Sequence, residues 1–350
     1  MPSRLNVGVI GVGRMGHVYA ANLAQRVPNA RLVAVADQKA DLAAACAKEF
    51  GIPRFYESHH DLLADRDVDA VAVITSTSTH KEAIVDAARA GKAVFCEKPI
   101  SLSLEDANEV LRVVEETGAF LQMGFQRRFD AAYVGARQKV EEGAIGSPVV
   151  FTSISRDPFR PPLEFCDPKI SGGLIADMGI HDFDAARMYM GEAKTVHAIG
   201  GVLAYPEMQE VGDIDNAIVN MVFESGTLGV VQLSRNAVFG YDIRGEIWGT
   251  KGTIQIGYFR QTPILVMTRE GITHDAVPYF FERFESAYLT QIQDFVDRVL
   301  KSQGPSVTGA DAVAAMRISL AANASFQEKR PVDIREVGAL PAGARAESKS

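Results

Sequence analysis

Cysteine is scarce: Cys46, Cys96 and Cys166 are the only three in 350 residues, and they stand far apart. An odd, dispersed set excludes a fully paired disulfide framework and any CxxC metal or redox motif. Positive charge is also short, with 36 Lys and Arg against 44 Asp and Glu, a net charge of −8. Nucleic-acid binders advertise a basic surplus, so that class is excluded. No apolar run is long enough to span a bilayer. The first residues, MPSRLNVGVIG, lack the cationic stretch, long apolar core and cleavage site of a signal peptide. Internal repeats and low-complexity segments are missing too. What remains is ordinary globular composition, 47% hydrophobic and 23% charged, in a chain long enough for two domains. The expectation is a reduced, cytoplasmic, soluble protein.

The first third alternates two periods. Short apolar runs at residues 5–10, 31–37, 69–75, 92–97 and 120–125 read as buried strands. Amphipathic stretches at 14–26, 39–50, 79–90 and 103–117 lie between them, so the pattern is βαβ units with a parallel sheet covered on both faces. A helical segment, 130–142, ends at Gly143. Beyond Pro148 the texture changes: a strand at 149–156, a Pro-rich loop at 157–170, a helix at 174–190 and then strands at about 194–205, 214–224, 227–236, 242–249, 252–258 and 263–269. So many successive strands suggest a largely antiparallel sheet. Helices at 283–302 and 309–324 close the chain before a polar tail.

Gly11-Val12-Gly13-Arg14-Met15-Gly16 follows a strand and opens a helix, the context of a dinucleotide-binding turn. Asp37 ends the second strand, 21 residues after Gly16, where a carboxylate would accept bonds from the adenosine ribose and repel a 2′-phosphate. NAD is therefore favoured over NADP. A helix-capping Asp after an ordinary glycine turn is the bland alternative. Thr75-Ser76-Thr77-Ser78-Thr79-His80 places small hydroxyls at a strand's carboxyl end, suited to ligand or to helix capping. Lys98, in Cys96-Glu97-Lys98-Pro99, could polarise a carbonyl or alcohol oxygen, or simply pair with an acid.

The helix at 174–190 carries Asp177, His181, Asp184 and Met188 on one face. An Asp one turn before a His can orient the imidazole as a general base. The pair could also ligate a metal, but no HxH, HExxH or Cys cluster accompanies it, so no metal is expected. His59-His60 reads as a loop pair, and His17, His197 and His274 as surface or packing residues.

GVGRMG with Asp37, Glu97-Lys98-Pro99 and GGLIADMGIHDFDAARMYMG (172–191) together resemble the Gfo/Idh/MocA oxidoreductases, over nearly the whole chain. Within that family the likeness is closest to inositol 2-dehydrogenases, through GFQRRFD (124–130), SRDP (155–158) and the Tyr241-Asp242-Ile243 stretch. The resemblance implies catalytic roles for Lys98, Asp177 and His181, and substrate contacts for Arg127, Asp157 and Tyr241 besides those three. It implies that Gly11, Gly13, Arg14, Met15, Gly16, Asp37, Thr75, Ser76, Thr77, His80, Glu97 and Lys98 serve NAD. It also implies a homotetramer packed through the large sheets.

The expected fold is α/β: a Rossmann domain over 1–125, an α+β domain with a large, mainly antiparallel open sheet over 126–340, and a flexible tail over 341–350. The expected activity is NAD-dependent oxidation of a ring hydroxyl of a cyclic polyol, myo- or scyllo-inositol, to the ketone. The alternatives are an NAD(P)-dependent sugar dehydrogenase or reductase, an NAD-dependent glycosidase, or a non-catalytic dinucleotide sensor. Retention of Lys98, Asp177 and His181 argues against the sensor.

Overall fold

The computed structural model describes residues 4–338 apart from residue 259. The chain forms two compact units, Met1–Val134 with Phe280–Val313 and Gly135–Tyr279 with Ala314–Ser350. The expected flexible tail, 341–350, lies outside the described residues.

In the first unit β1 (Leu5–Ile10), β2 (Ala30–Ala36), β3 (Arg54–Tyr56), β4 (Ala70–Val73), β5 (Ala93–Glu97) and β6 (Leu121–Gly124) form one sheet in the order β3-β2-β1-β4-β5-β6. All its pairings are parallel. Val7, Val9, Ala34, Val35, Val71, Val73, Val94 and Phe95 are fully buried, as continuous apolar strands covered on both faces require. The helices fall where the apolar spacing put them: Arg14–Gln25, Ala40–Phe50, His80–Arg89 and Leu104–Thr117. The last starts at Ser103, whose hydroxyl accepts the Asp106 N–H, and stops at Gly118 in the left-handed region. β3 was not legible, because three half-exposed residues give no alternation to read.

The sequence places a single division near residue 125, whereas the compact units interleave. Helix Phe280–Leu300 packs with the first unit. Phe295 seats against Phe95 and Phe120, with ring centroids 5.8 and 5.7 Å apart. Gln291 donates to the Tyr19 hydroxyl, and Asn29 donates to Asp297 at 2.6 Å. Arg283 binds Asp130 at 2.7 Å with both groups buried.

The second unit holds a seven-stranded sheet. Its strands are β7 (Pro148–Arg156), β8 (Ala193–Gly201), β9 (Asn216–Phe223), β10 (Leu228–Ser234), β11 (Asp242–Gly249), β12 (Thr253–Ile256) and a two-residue strand Val332–Asp333, in the order β12-β11-β7-β10-β9-β8 and then Val332–Asp333. Only the β7–β10 pairing is parallel. The expected strand at 263–269 shrinks to Val266–Thr268, which pairs with Gly271–Thr273 in a separate hairpin. β9 alternates buried and exposed residues along its length. On the buried face, Ser153 and Ser155 donate to Asp182 of helix Gly179–Met190, and Ser325 accepts the Ala198 N–H at 3.0 Å. The expected helix 174–190 appears as Gly173–Asp177 and Gly179–Met190, with Met178 still helical between them at φ −85° and ψ −49°.

The Asp130–Arg283 pair carries the attachment of a segment distant in the chain. Replacing one partner leaves the other charge buried. Asp130→Ala is therefore expected to destabilise the protein by about 3–5 kcal/mol, read as a lower urea midpoint. An unchanged midpoint would show that the contacts of Phe295, Gln291 and Asp297 fix this helix without the ion pair.

Candidate functional site

The glycine turn is dictated by steric fit. Gly11 adopts φ +86°, and a Cβ there would lie 2.8 Å from the Ile74 carbonyl oxygen. A Cβ on Gly16 would lie 1.9 Å from the Gly11 oxygen, so the helix can start this close to β1 only without a side chain. Gly13 is different: among the described residues, a Cβ there meets no atom within 4 Å. Packing does not explain its bareness, and the open space there suits the close approach of a phosphate. Helix Arg14–Gln25 has no side-chain cap and no acidic residue in its first turn, which leaves its N-terminal N–H groups and positive dipole end for an anion. Asp37 stands beside the turn, where its carboxylate accepts the Val12 and Lys39 N–H groups, both at 2.9 Å. Its position after β2 suits ribose hydroxyls, so these residues fit NAD.

Along the same sheet edge, β4 runs into Thr75. Thr79 donates to Thr75 Oγ1 at 2.8 Å, and neither Ser76 nor Thr79 makes a side-chain cap bond. His80 turns inward. It is 1% exposed, with Nδ1 2.7 Å from the Pro99 oxygen and Nε2 3.2 Å from the Thr75 oxygen. It therefore ties the end of β4 to the residues after β5. Burial pushes its imidazole below the ordinary value against the pull of those two carbonyls, with the Lys98 charge adding to the lowering.

Lys98 follows β5 and is half-buried. Its neighbour Glu97 accepts the Tyr19 hydroxyl and, at 3.1 Å, the Lys98 N–H. Burial raises the Glu97 carboxyl, while Tyr19 and Lys98 oppose the rise. Gly124 faces Glu97 across β6, where a Cβ would lie 3.1 Å from that carboxylate. Arg127 is buried in the short 3₁₀ turn Gln126–Phe129, its guanidinium 5.7 Å from the Tyr133 ring centre. The adjacent Arg128 is held by Asp311 at 3.1 Å.

In the second unit, register does the gathering. Arg156 pairs with Ser234 on β10 and with Asp242 on β11, so the residues just beyond, Asp157, Arg235 and Tyr241, share one sheet edge. The Asp157 N–H donates to the Ser234 oxygen, and the Ala237 N–H donates to the Asp157 oxygen, both at 2.9 Å. Tyr241 is 8% exposed, edge-on to Tyr279. Asp177 reaches this edge as well, its carboxylate 3.6 Å from Arg235 Nη2. His181 lies four residues further on, in a helix pinned to the sheet by the buried Asp182. Asp184, expected on the same face as His181, is buried 3.8 Å from Arg187.

Arg235, Asp213 and Asp182 escaped the sequence reading. Ser234-Arg235-Asn236 reads only as the end of a strand, and isolated acids carry no motif. The one signal was a charge inside an otherwise apolar alternation. His59 and His60, expected in a loop, instead open helix His59–Ala64, where Ser58 accepts the His60 N–H. Both face Asp86, at 3.0 and 3.5 Å, near the exposed Glu82. The His59 ring is hydrogen-bonded to Asp86 at 3.0 Å.

Among the described residues no helix is long and apolar enough to cross a membrane. Residues 5–125 match the family model described as "Oxidoreductase family, NAD-binding Rossmann fold", and residues 137–334 match its "C-terminal alpha/beta domain". The chain is 39% identical to the scyllo-inositol 2-dehydrogenase (NAD(+)) of Bacillus subtilis, over 95% of this chain and 97% of that protein. It is 40% identical to the myo-inositol 2-dehydrogenase of Thermotoga maritima, over 95% and 99% respectively. Its fold superposes with a TM-score of 0.90 on the scyllo-inositol dehydrogenase of Lactobacillus casei with bound NAD(H) and scyllo-inositol, 33% identical over 95% of this chain and 99% of that one. The chain thus belongs to the Gfo/Idh/MocA family of NAD-dependent oxidoreductases.

Proposed function

We propose that this protein oxidises one ring hydroxyl of inositol, the myo or scyllo isomer, to the ketone. The observation that carries the reading is near-full-length similarity to inositol 2-dehydrogenases, and the presence of Lys98, Asp177 and His181 in this chain supports it. Bound NAD supplies the hydride acceptor. The residues of the chain do the rest. His181 takes the hydroxyl proton as a general base, and Asp177 orients its imidazole and accepts a bond from a neighbouring hydroxyl. The Lys98 ammonium stabilises the oxygen as negative charge develops on it. Arg127, Asp157 and Tyr241 hold the remaining ring hydroxyls and so fix which C–H bond is presented. The turn from Gly11 to Gly16, with Arg14 and Met15, takes the pyrophosphate. Asp37 takes the adenosine ribose, and Thr75, Ser76 and Thr77 line the nicotinamide side. His80 and Glu97 act beneath them by fixing Thr75 and the main chain at Lys98.

We also propose a cytoplasmic homotetramer packed through the second sheet. Its open face carries Ile199, Ile218, Val222, Leu228 and Trp248, each between 38% and 52% exposed. The cross-strand pairs Ile199–Ile218 and Val222–Leu228 make this an apolar patch rather than scattered residues. The three thiols are free and buried, in keeping with a reducing compartment.

Initial rates of NAD reduction with myo-, scyllo- and D-chiro-inositol, glucose and xylose test the substrate class, with NADP in parallel. Turnover on an inositol with NAD is expected. Turnover confined to aldoses, or release of nitrophenol from a nitrophenyl glycoside without net reduction of NAD, contradicts the reading. Lys98→Ala and His181→Ala are expected still to bind NAD but to lose about 10²–10⁴-fold in kcat. A normal kcat in either variant removes that residue from the mechanism. Ile218→Asp combined with Leu228→Asp is expected to give a smaller species in sedimentation velocity, whereas a wild-type protein that already sediments as a monomer would refute the assembly.

A further inference from the structure

We propose that His59, His60, Glu82 and Asp86 form a binding site for a divalent transition cation of the zinc class. None of the four is assigned to NAD or to inositol.

The four residues stand on two helices that pack together, His59–Ala64 and His80–Arg89. The first is fixed at its base and at its start. Leu62 is fully buried over β1, where a Cβ on Gly8 would lie 2.8 Å from its Cδ2, and the Ser58 hydroxyl accepts the His60 N–H at 3.1 Å. In the second helix Ala83, Ile84 and Ala87 are buried, while Glu82 and Asp86, one turn apart, share a side. The apolar faces go inward and leave two histidines and two acids outside. His59 and Asp86 are half-buried, and His60 and Glu82 are exposed.

Their ligand atoms converge. The imidazoles lie side by side with ring centres 4.0 Å apart, and His59 Nε2 and His60 Nδ1 approach the same oxygen, Asp86 Oδ2, at 3.0 and 3.5 Å. One ligand atom from each of the four residues lies within 4.8 Å of the other three. Among the described residues no other group of three or more His, Cys, Asp or Glu gathers in this way. Tetrahedral zinc, with bonds of about 2.0–2.1 Å, holds its ligand atoms about 3.3–3.4 Å apart, and both contacts to Asp86 are close to that spacing. Glu82, long and exposed, has the freedom to close the rest.

The hydrogen bond between His59 and Asp86 uses one ring and one acid. A second imidazole and a second carboxylate are brought to the same place, and two acids one turn apart on a helix repel. Lys81, next to Glu82 in the chain, turns to Asp106 and Glu109 at 2.7 and 2.6 Å. A cation between the helices would offset the repulsion and join them. The donor set selects that cation: magnesium and calcium take oxygen ligands, whereas imidazole with carboxylate suits zinc. Four protein ligands leave no open position, so the bound ion would clamp the helices rather than catalyse. The sequence shows no HxH or HExxH spacing here because half of the ligands come from a second helix.

The test is calorimetric titration of the metal-stripped full-length protein with zinc chloride, and separately with magnesium chloride, for the wild type, His60→Ala and Glu82→Gln. The wild type is expected to bind one zinc per chain at micromolar concentration, and each variant to lose about tenfold or more in affinity. Zinc at about 100 times the wild-type Kd is expected to raise the wild-type melting temperature by about 3–5 °C, and to raise that of either variant by less. Glu82→Gln keeps the His59–Asp86 hydrogen bond, so its loss of zinc separates a four-ligand site from that bond alone. NAD affinity reports the fold of each variant. Zinc K-edge X-ray absorption of the loaded wild type is expected to fit imidazole nitrogen and carboxylate oxygen without sulfur. A wild type that binds no zinc, an unchanged zinc affinity in either folded variant, magnesium bound as tightly as zinc, or sulfur in the zinc shell overturns the proposal.

Discussion

The strands of the first sheet all run the same way, and everything proposed for the cofactor depends on that constraint. Parallel strands share one carboxyl edge, and β1 lies between β2 and β4, so the connections leave it on opposite sides. Segments far apart in sequence therefore arrive together: the glycine turn after β1, Asp37 after β2, Thr75 after β4 and Lys98 after β5. The turn admits no side chain at Gly11 or Gly16 because the protein's own backbone fills that space. At Gly13 no described protein atom does, which leaves that position open to a ligand.

The second unit reaches a similar end by other means. Its sheet is mixed, and the parallel β7–β10 pair places Asp157 and Arg235 at adjacent strand ends, while antiparallel β11 begins with Tyr241 at that edge. Helix Gly179–Met190 crosses the covered face, with Asp182 tied to Ser153 and Ser155. Burying an acid under two hydroxyls fixes the helix against rotation, and that fixes the neighbouring His181. The other face leaves Ile199, Ile218, Val222, Leu228 and Trp248 exposed.

Legibility in the sequence followed the physical origin of each feature. Local rules were visible: the apolar runs of β1, β2, β4 and β5, the glycine spacing, and the offset from Asp177 to His181. β3 was not, because a three-residue edge strand carries no period. Interleaving of the units was hidden too, since helix Phe280–Leu300 has an ordinary amphipathic pattern whatever it packs against. His80 looked like a site residue, and only the fold shows both its ring nitrogens on main-chain carbonyls. Arg235 was the hardest to see, since the acids it lies beside, Asp177 and Asp213, are 58 and 22 positions away.

The central claim is that hydride leaves a ring carbon of inositol for NAD while His181 and Lys98 handle the oxygen. Its most direct test is turnover of inositol deuterated at the ring carbons. Deuterium should appear in the reduced nicotinamide with a primary isotope effect on the rate, and that effect should grow in Lys98→Ala as the chemical step slows. Oxidised inositol with no deuterium in the nicotinamide, or an isotope effect absent from both proteins, would contradict the account.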